Sequence, residues 1–158
     1  MLQEDIKYCI QQLRDAGIKV WMLTGDKLET AKCIAVATAL KSNSQQFFEL
    51  TDFTDETDFR LRLEQYEKQA KDVLIIEGET LAKVCQISAL KDLFLRVSAL
   101  APSVICCRCA PTQKAEITTG LKIFLGRGVC AIGDGGNDVG MIQCANVVFP
   151  FIQFDSTI

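Results

Sequence analysis

Apolar residues recur at helical spacing at Ile6, Cys9, Ile10, Leu13 and Ala16, with polar residues between them and Gly17 directly behind. That spacing puts one stripe on one face of a helix, and glycine is a common stop. Ile18-Lys19-Val20-Trp21-Met22-Leu23 is a short strand-like run, broken by Thr24-Gly25-Asp26. Asp26 and Glu29 stand at capping-box spacing, with Asp in place of Ser or Thr, and Leu28, Ala31, Ala35, Thr38 and Ala39 continue as a helix. Residues 41 to 58 are polar and acidic and read as loop. Phe59, Leu63, Tyr66 and Ala70 mark another amphipathic helix, and Val73-Leu74-Ile75-Ile76 a buried strand closed by Glu77-Gly78. One or two helices follow from about Thr80 to Leu100, and Pro102 ends them. Val104-Ile105-Cys106-Cys107 is the third strand. Pro111 suits the first turn of a helix that reaches about Leu125, with Gly126 and Gly128 behind it. Val129-Cys130-Ala131-Ile132 is the fourth strand, broken by Gly133-Asp134-Gly135-Gly136-Asn137-Asp138, and a short helix through Met141 and Ile142 follows.

Strands alternating with helices predict an α/β fold with a mainly parallel sheet. Sheets of that kind place their sites at the carboxyl ends of the strands. Three polar clusters fall there: Thr24-Gly25-Asp26, the Arg108 to Lys114 segment, and Gly133 to Asp138. They are expected to converge on one cleft.

Composition narrows the chemistry. With 158 residues, 49% of them apolar and 23% charged, the chain is long enough for a buried core. Its net charge of -3 argues against a nucleic-acid binder or a polybasic membrane anchor. The chain has no histidine, which excludes Ser-His-Asp and Cys-His pairs and histidine-ligated zinc sites. No apolar run approaches the ~20 residues that span a bilayer, and the first five residues, Met-Leu-Gln-Glu-Asp, resemble neither a signal nor a transit peptide. The eight cysteines then read as reduced thiols in a cytosolic compartment.

Asp134 and Asp138 can face a single point, and one or two carboxylates with water suit Mg²⁺. The alternative is a glycine turn with a solvated aspartate. A dinucleotide fingerprint is disfavoured, because Asp138 occupies the position of its third glycine. At Thr24-Gly25-Asp26 a hydroxyl and free N–H groups at a helix start suit a phosphoryl group, although an ordinary helix cap is the plainer reading. Lys114 in a helix's first turn opposes the helix dipole, which suits a lysine that reaches an anion; a surface lysine is the alternative. Cys106-Cys107-Arg108-Cys109 lacks a second C-x-x-C pair to complete a metal site, so these thiols, like Cys130 and Cys144, read as packing.

Taken together, M-L-T-G-D-K at Met22 to Lys27, C-C-R-C-A-P-T-Q-K-A at Cys106 to Ala115, and G-D-G-G-N-D-V-G-M-I-Q at Gly133 to Gln143 resemble the phosphorylation domain of P-type ATPases. The match is to the type IV group, the phospholipid flippases, in its Neo-type, class 2 branch, over about residues 2 to 143. The resemblance implies a haloacid-dehalogenase-like three-layer fold. It assigns Thr24, Asp26 and Lys114 as catalytic residues, Thr24 on the transferred phosphoryl group, Asp26 in its neighbourhood and Lys114 neutralising phosphate charge. Gly25, Arg108, Asn137 and Asp138 join these three as cofactor-binding positions, and Asp134 and Asp138 would hold Mg²⁺. It further implies ATP as the phosphate donor and phospholipid as cargo through a longer parent. That parent would be integral to a Golgi or endosomal membrane, with this segment on the cytosolic face.

The departures matter equally. The family's nucleophile motif, D-K-T-G-T, does not occur, and neither the nucleotide-binding domain nor any membrane helix lies in the chain. The resemblance therefore predicts a partial phosphorylation domain over residues 1–143, whose sheet lacks the nucleophile strand, and no turnover by this chain alone. Residues 144–158 depart from the family's continuation and form a divergent tail, with Val147 to Phe151 as a candidate edge strand. A free-standing phosphatase of the same fold and a non-catalytic module binding Mg²⁺, phosphate or a partner are the alternatives.

Overall fold

Parallel strands joined by helices account for all the strand pairing in a computed structural model of the chain, which describes residues 5–126 and 128–150. Two compact units divide it, Met1–Cys109 and Ala110–Ile158.

The first unit runs α1 (Ile6–Asp15), β1 (Val20–Leu23), α2 (Leu28–Ala37), β2 (Phe47–Leu50), α3 (Glu56–Glu67), β3 (Val73–Glu77), α4 (Gly78–Cys85), α5 (Ser88–Ser98) and β4 (Ser103–Cys107). Its sheet has the order β1-β4-β3-β2. The central strands β3 and β4 are apolar at nearly every position because both sheet faces are covered, which removes the alternation an exposed face would impose. On one face Val73, Ile75, Ile105 and Cys107 pack with Ile10 of α1 and Ala31 and Ala35 of α2. Gly17, at φ 79, turns the chain from α1 into β1 in a conformation glycine adopts without penalty.

Two expectations need correction here. The polar stretch 41 to 58 contains β2, and α3 begins within it. Phe48 of β2 packs at a tilt against Tyr66, whose hydroxyl donates to Asp72 O at 2.6 Å, so tertiary packing makes a strand where local composition read as loop. The Asp26–Glu29 capping box does not form: Lys27 is the first flanking residue of α2 and no side chain caps it.

The second unit runs α6 (Pro111–Leu125), β5 (Cys130–Gly133), a single 3-10 turn (Gly136–Asp138), α7 (Val139–Cys144) and β6 (Val147–Pro150). Pro111 opens α6 as expected, and Gly126, at φ 58, closes it. β5 and β6 form a two-stranded parallel sheet. The anticipated edge strand in the tail is therefore present as β6; Phe151 lies outside the described residues. α6 and α7 pack closely, with Ala115 Cβ 3.5 Å from where a Cβ on Gly140 would stand. Ile132, Val147 and Val148 remain exposed.

Candidate functional site

The loop after β1 is shaped by backbone bonds to β4 and to the loop after it. Thr24 N–H donates to Cys106 O at 2.9 Å, Arg108 N–H to Asp26 O at 2.9 Å, and Cys109 N–H to Thr24 O at 3.0 Å. Within the loop, Thr24 Oγ1 donates to Asp26 Oδ2 at 2.8 Å and accepts from Asp26 N–H at 3.1 Å. Asp26 thus folds back on Thr24 instead of capping α2, whose opening N–H groups have no side-chain acceptor. A hydroxyl beside uncapped N–H groups is an arrangement that can receive a phosphoryl oxygen. Gly25 is not forced by space: a Cβ there would meet Cys109 O at an ordinary 3.9 Å.

Arg108 has φ 50, a left-handed conformation that costs a non-glycine residue about 1–2 kcal/mol. Its Nε lies 3.5 Å from Glu77 Oε1. Glu77, at the end of β3, was read from the sequence only as a strand terminator. The available signal was its position, an acidic residue at a third strand's carboxyl end.

The second unit holds the other candidates. Lys114 is not the surface lysine of the plainer reading. Its Nζ lies 2.8 Å from Asp138 Oδ1, and the two side chains are 8% and 14% exposed. Thr118 Oγ1 donates back to Lys114 O at 2.9 Å. Asp138 N–H donates to Gly135 O at 2.9 Å, closing the 3-10 turn. The Asp138 carboxylate lies against Gly133: a Cβ on that glycine would stand 2.5 Å from Asp138 Cβ and 2.9 Å from its Oδ2. Position 133 therefore admits only glycine while Asp138 keeps this place. Asp134 and Asn137 are exposed on the same loop.

Among the described residues no group of three or more cysteine or acidic side chains gathers to hold a metal ion. Two carboxylates close in sequence, one exposed and one held by a lysine, fit Mg²⁺ better than a thiophilic metal, because Mg²⁺ keeps most of its water.

None of the eight cysteines forms a disulfide. Cys106, Cys107 and Cys109 are buried. Burial and the nearby Glu77 carboxylate push the Cys107 thiol up to about 11. A hydrogen bond with Cys109, then burial, raise Cys106. Such thiols stay protonated and behave as small apolar groups.

Parallel strands alternating with helices, with polar loops at the strand ends in each unit, are those of a haloacid-dehalogenase-like α/β domain. No family model matches the chain. It is 46% identical over 145 residues to a probable phospholipid-transporting ATPase IIB of Homo sapiens, covering 92% of this chain and 12% of that protein. It is 44% identical over 146 residues to the phospholipid-transporting ATPase neo1 of Schizosaccharomyces pombe and 43% identical over 146 residues to NEO1 of Saccharomyces cerevisiae. These cover 92% of the chain and 14% and 12% of the respective relatives. The chain belongs to the type IV P-type ATPases, in their Neo-type branch, and spans about an eighth of the length of the relatives it matches. No helix among the described residues is long and apolar enough to cross a membrane.

Proposed function

We propose that residues 1–143 supply the Mg²⁺- and phosphate-binding part of the phosphorylation domain of an ATP-driven phospholipid translocase, and that 144–158 is a divergent tail. The observation that carries this reading is the largely buried Lys114–Asp138 pair against Gly133. Burying two charges is costly, and a structural role alone would be served as well by apolar side chains of similar volume. An ammonium and a carboxylate at a strand's carboxyl end instead match the needs of phosphoryl transfer, which depends on positioning and on countering charge.

In this reading Thr24 donates its hydroxyl to a phosphoryl oxygen, and Gly25 and the first N–H groups of α2 approach that group. Asp26 N–H holds the Thr24 hydroxyl oxygen through its 3.1 Å hydrogen bond, while the single hydroxyl proton turns from Asp26 Oδ2 to the phosphoryl oxygen. Arg108 contacts nucleotide phosphate. Lys114 offsets phosphoryl charge, and Asp138 keeps its ammonium in place. Asp134 and Asp138 hold Mg²⁺, with Asn137 completing the hydrogen bonds around them. When bound, Mg²⁺ supplies positive charge that stabilises developing negative charge on oxygen. The nucleophile, the nucleotide-binding domain and the lipid path belong to the longer parent, which would act at the cytosolic face of a Golgi or endosomal membrane.

Mg²⁺ binding to the folded chain tests the metal assignment. At a concentration ten times its Kd, Mg²⁺ should stabilise the chain by about 1.4 kcal/mol, because only the folded state gathers the two carboxylates. Thermal unfolding with and without several millimolar Mg²⁺ should show that gain in the natural chain and lose most of it in Asp134→Asn. An equal gain in both proteins would move the metal elsewhere.

A further inference from the structure

Among the described non-glycine residues with positive φ, Arg108 alone stands directly after a strand. Its conformation is held by its own N–H bond to Asp26 O and by the next residue's bond to Thr24 O. A strained backbone held in this way is a sign of function when it aims a particular side chain. Glu77 is paired in register with Cys107, which places it one residue from Arg108 across the sheet. The ion pair is loose, at 3.5 Å, and the Arg108 side chain is 57% exposed. Exposed pairs of this kind contribute little to stability, so stability does not account for it. Its geometry is selective instead. Glu77 meets the Nε edge of a guanidinium that carries five donors, leaving the two Nη groups for another anion.

We propose that Glu77 is a positioning residue for Arg108, holding its Nε edge so that the Nη edge is offered to phosphate at the Thr24–Asp26 loop. The inference rests on the reading above that Arg108 contacts phosphate. It makes a signed prediction. Through-space electrostatics alone would have the Glu77 carboxylate repel an anion, so its removal would tighten binding. A positioning role has the opposite sign.

The test titrates the full chain with inorganic phosphate in the presence of Mg²⁺, following amide and arginine Nε–H resonances. Arg108→Ala should weaken binding about tenfold, the loss of one good charge-assisted contact. Glu77→Gln should weaken it about threefold to tenfold, with little further loss in the double variant, and Glu77→Asp should recover part of it. The melting temperature of Glu77→Gln should stay within about 3 °C, as for other exposed substitutions, which separates positioning from unfolding. Unchanged or tighter binding in Glu77→Gln, with Arg108→Ala still weakened, overturns the proposal and leaves the Arg108 reading intact. Phosphate binding that is absent, or indifferent to Arg108→Ala, overturns both.

Discussion

In the first unit the candidate loop follows an edge strand, β1, whose neighbour β4 is fully buried, and three backbone hydrogen bonds tie it to β4 and the loop after it. In the second unit the corresponding loop follows β5, a strand with one partner and two exposed positions, and a side-chain ion pair defines it. Backbone bonds survive most substitutions. A buried ion pair does not, because removing one partner strands the other charge in a poorly solvated place. The first unit's loop should therefore tolerate change at its side chains, and the second unit's should not.

The largest expected effect contrasts the two sheets. Ile75→Ala removes a fully buried side chain from β3 and should cost about 2–5 kcal/mol by lost burial and a residual cavity. Val148→Ala, on the exposed β6, should cost less than about 0.5 kcal/mol. Urea unfolding of both variants measures the difference. A comparable cost at Val148 would mean that something covers β6 in solution, and the contrast would fail.

A second substitution breaks the comparison at the loops themselves. Asp138→Ala leaves the Lys114 ammonium almost wholly buried without its 2.8 Å partner, and should cost about 2–3 kcal/mol. Lys114→Met combined with Asp138→Leu should recover part of that loss, since no charge then remains buried. Asp26→Ala removes only the bond with Thr24 from an exposed loop and should cost under about 1 kcal/mol. Denaturant unfolding of these three proteins orders the effects. If Asp26→Ala proved as costly as Asp138→Ala, side chains and not the backbone would hold the first loop.

Most of the helices were legible because their apolar positions repeat at 3.6 residues and their ends carry Gly17, Pro111 and Gly126. The central strands were legible for the opposite reason, an unbroken apolar run that only a doubly covered sheet accommodates. β2 was not, because its Phe47-Phe48-Glu49-Leu50 run is short and its flanks are polar, and Tyr66 and β3 decide its fate from a distance. At the sites, motif spacing drew attention to Lys114 and Asp138, but the 2.8 Å pair and the crowding at Gly133 depend on packing between α6 and the loop after β5. Glu77 carries one local mark, its place at a strand's carboxyl end, but its meaning comes from its register opposite Cys107. The capping-box reading of Asp26 failed because the Thr24 hydroxyl, two residues away, competes for the same carboxylate.

The smallest effect concerns alkaline pH and isolates the buried strand β4. The Cys107 thiol, 0% exposed, is raised from 9.0 to about 11 by burial first and the Glu77 carboxylate second. Cys109 adds to the rise, and Arg108 opposes it. The folded state therefore keeps a proton that the unfolded chain gives up near pH 9. The stability linked to that proton is fully present below pH 9 and is lost as pH rises from 9 towards 11. Two pH units correspond to at most about 2.7 kcal/mol, so a loss of about 2 kcal/mol is expected. Cys106 and Tyr66 are also raised, by the Cys109 hydrogen bond and by burial respectively, so a second decline continues at higher pH. Comparing urea midpoints at pH 8 and 11, the drop in Cys107→Ala should be about 2 kcal/mol smaller than in the natural chain, whatever the variant's starting stability. An identical drop in both would mean that the Cys107 thiol ionises without unfolding, and that β4 is open to water where the contrast between the two sheets requires it to be closed.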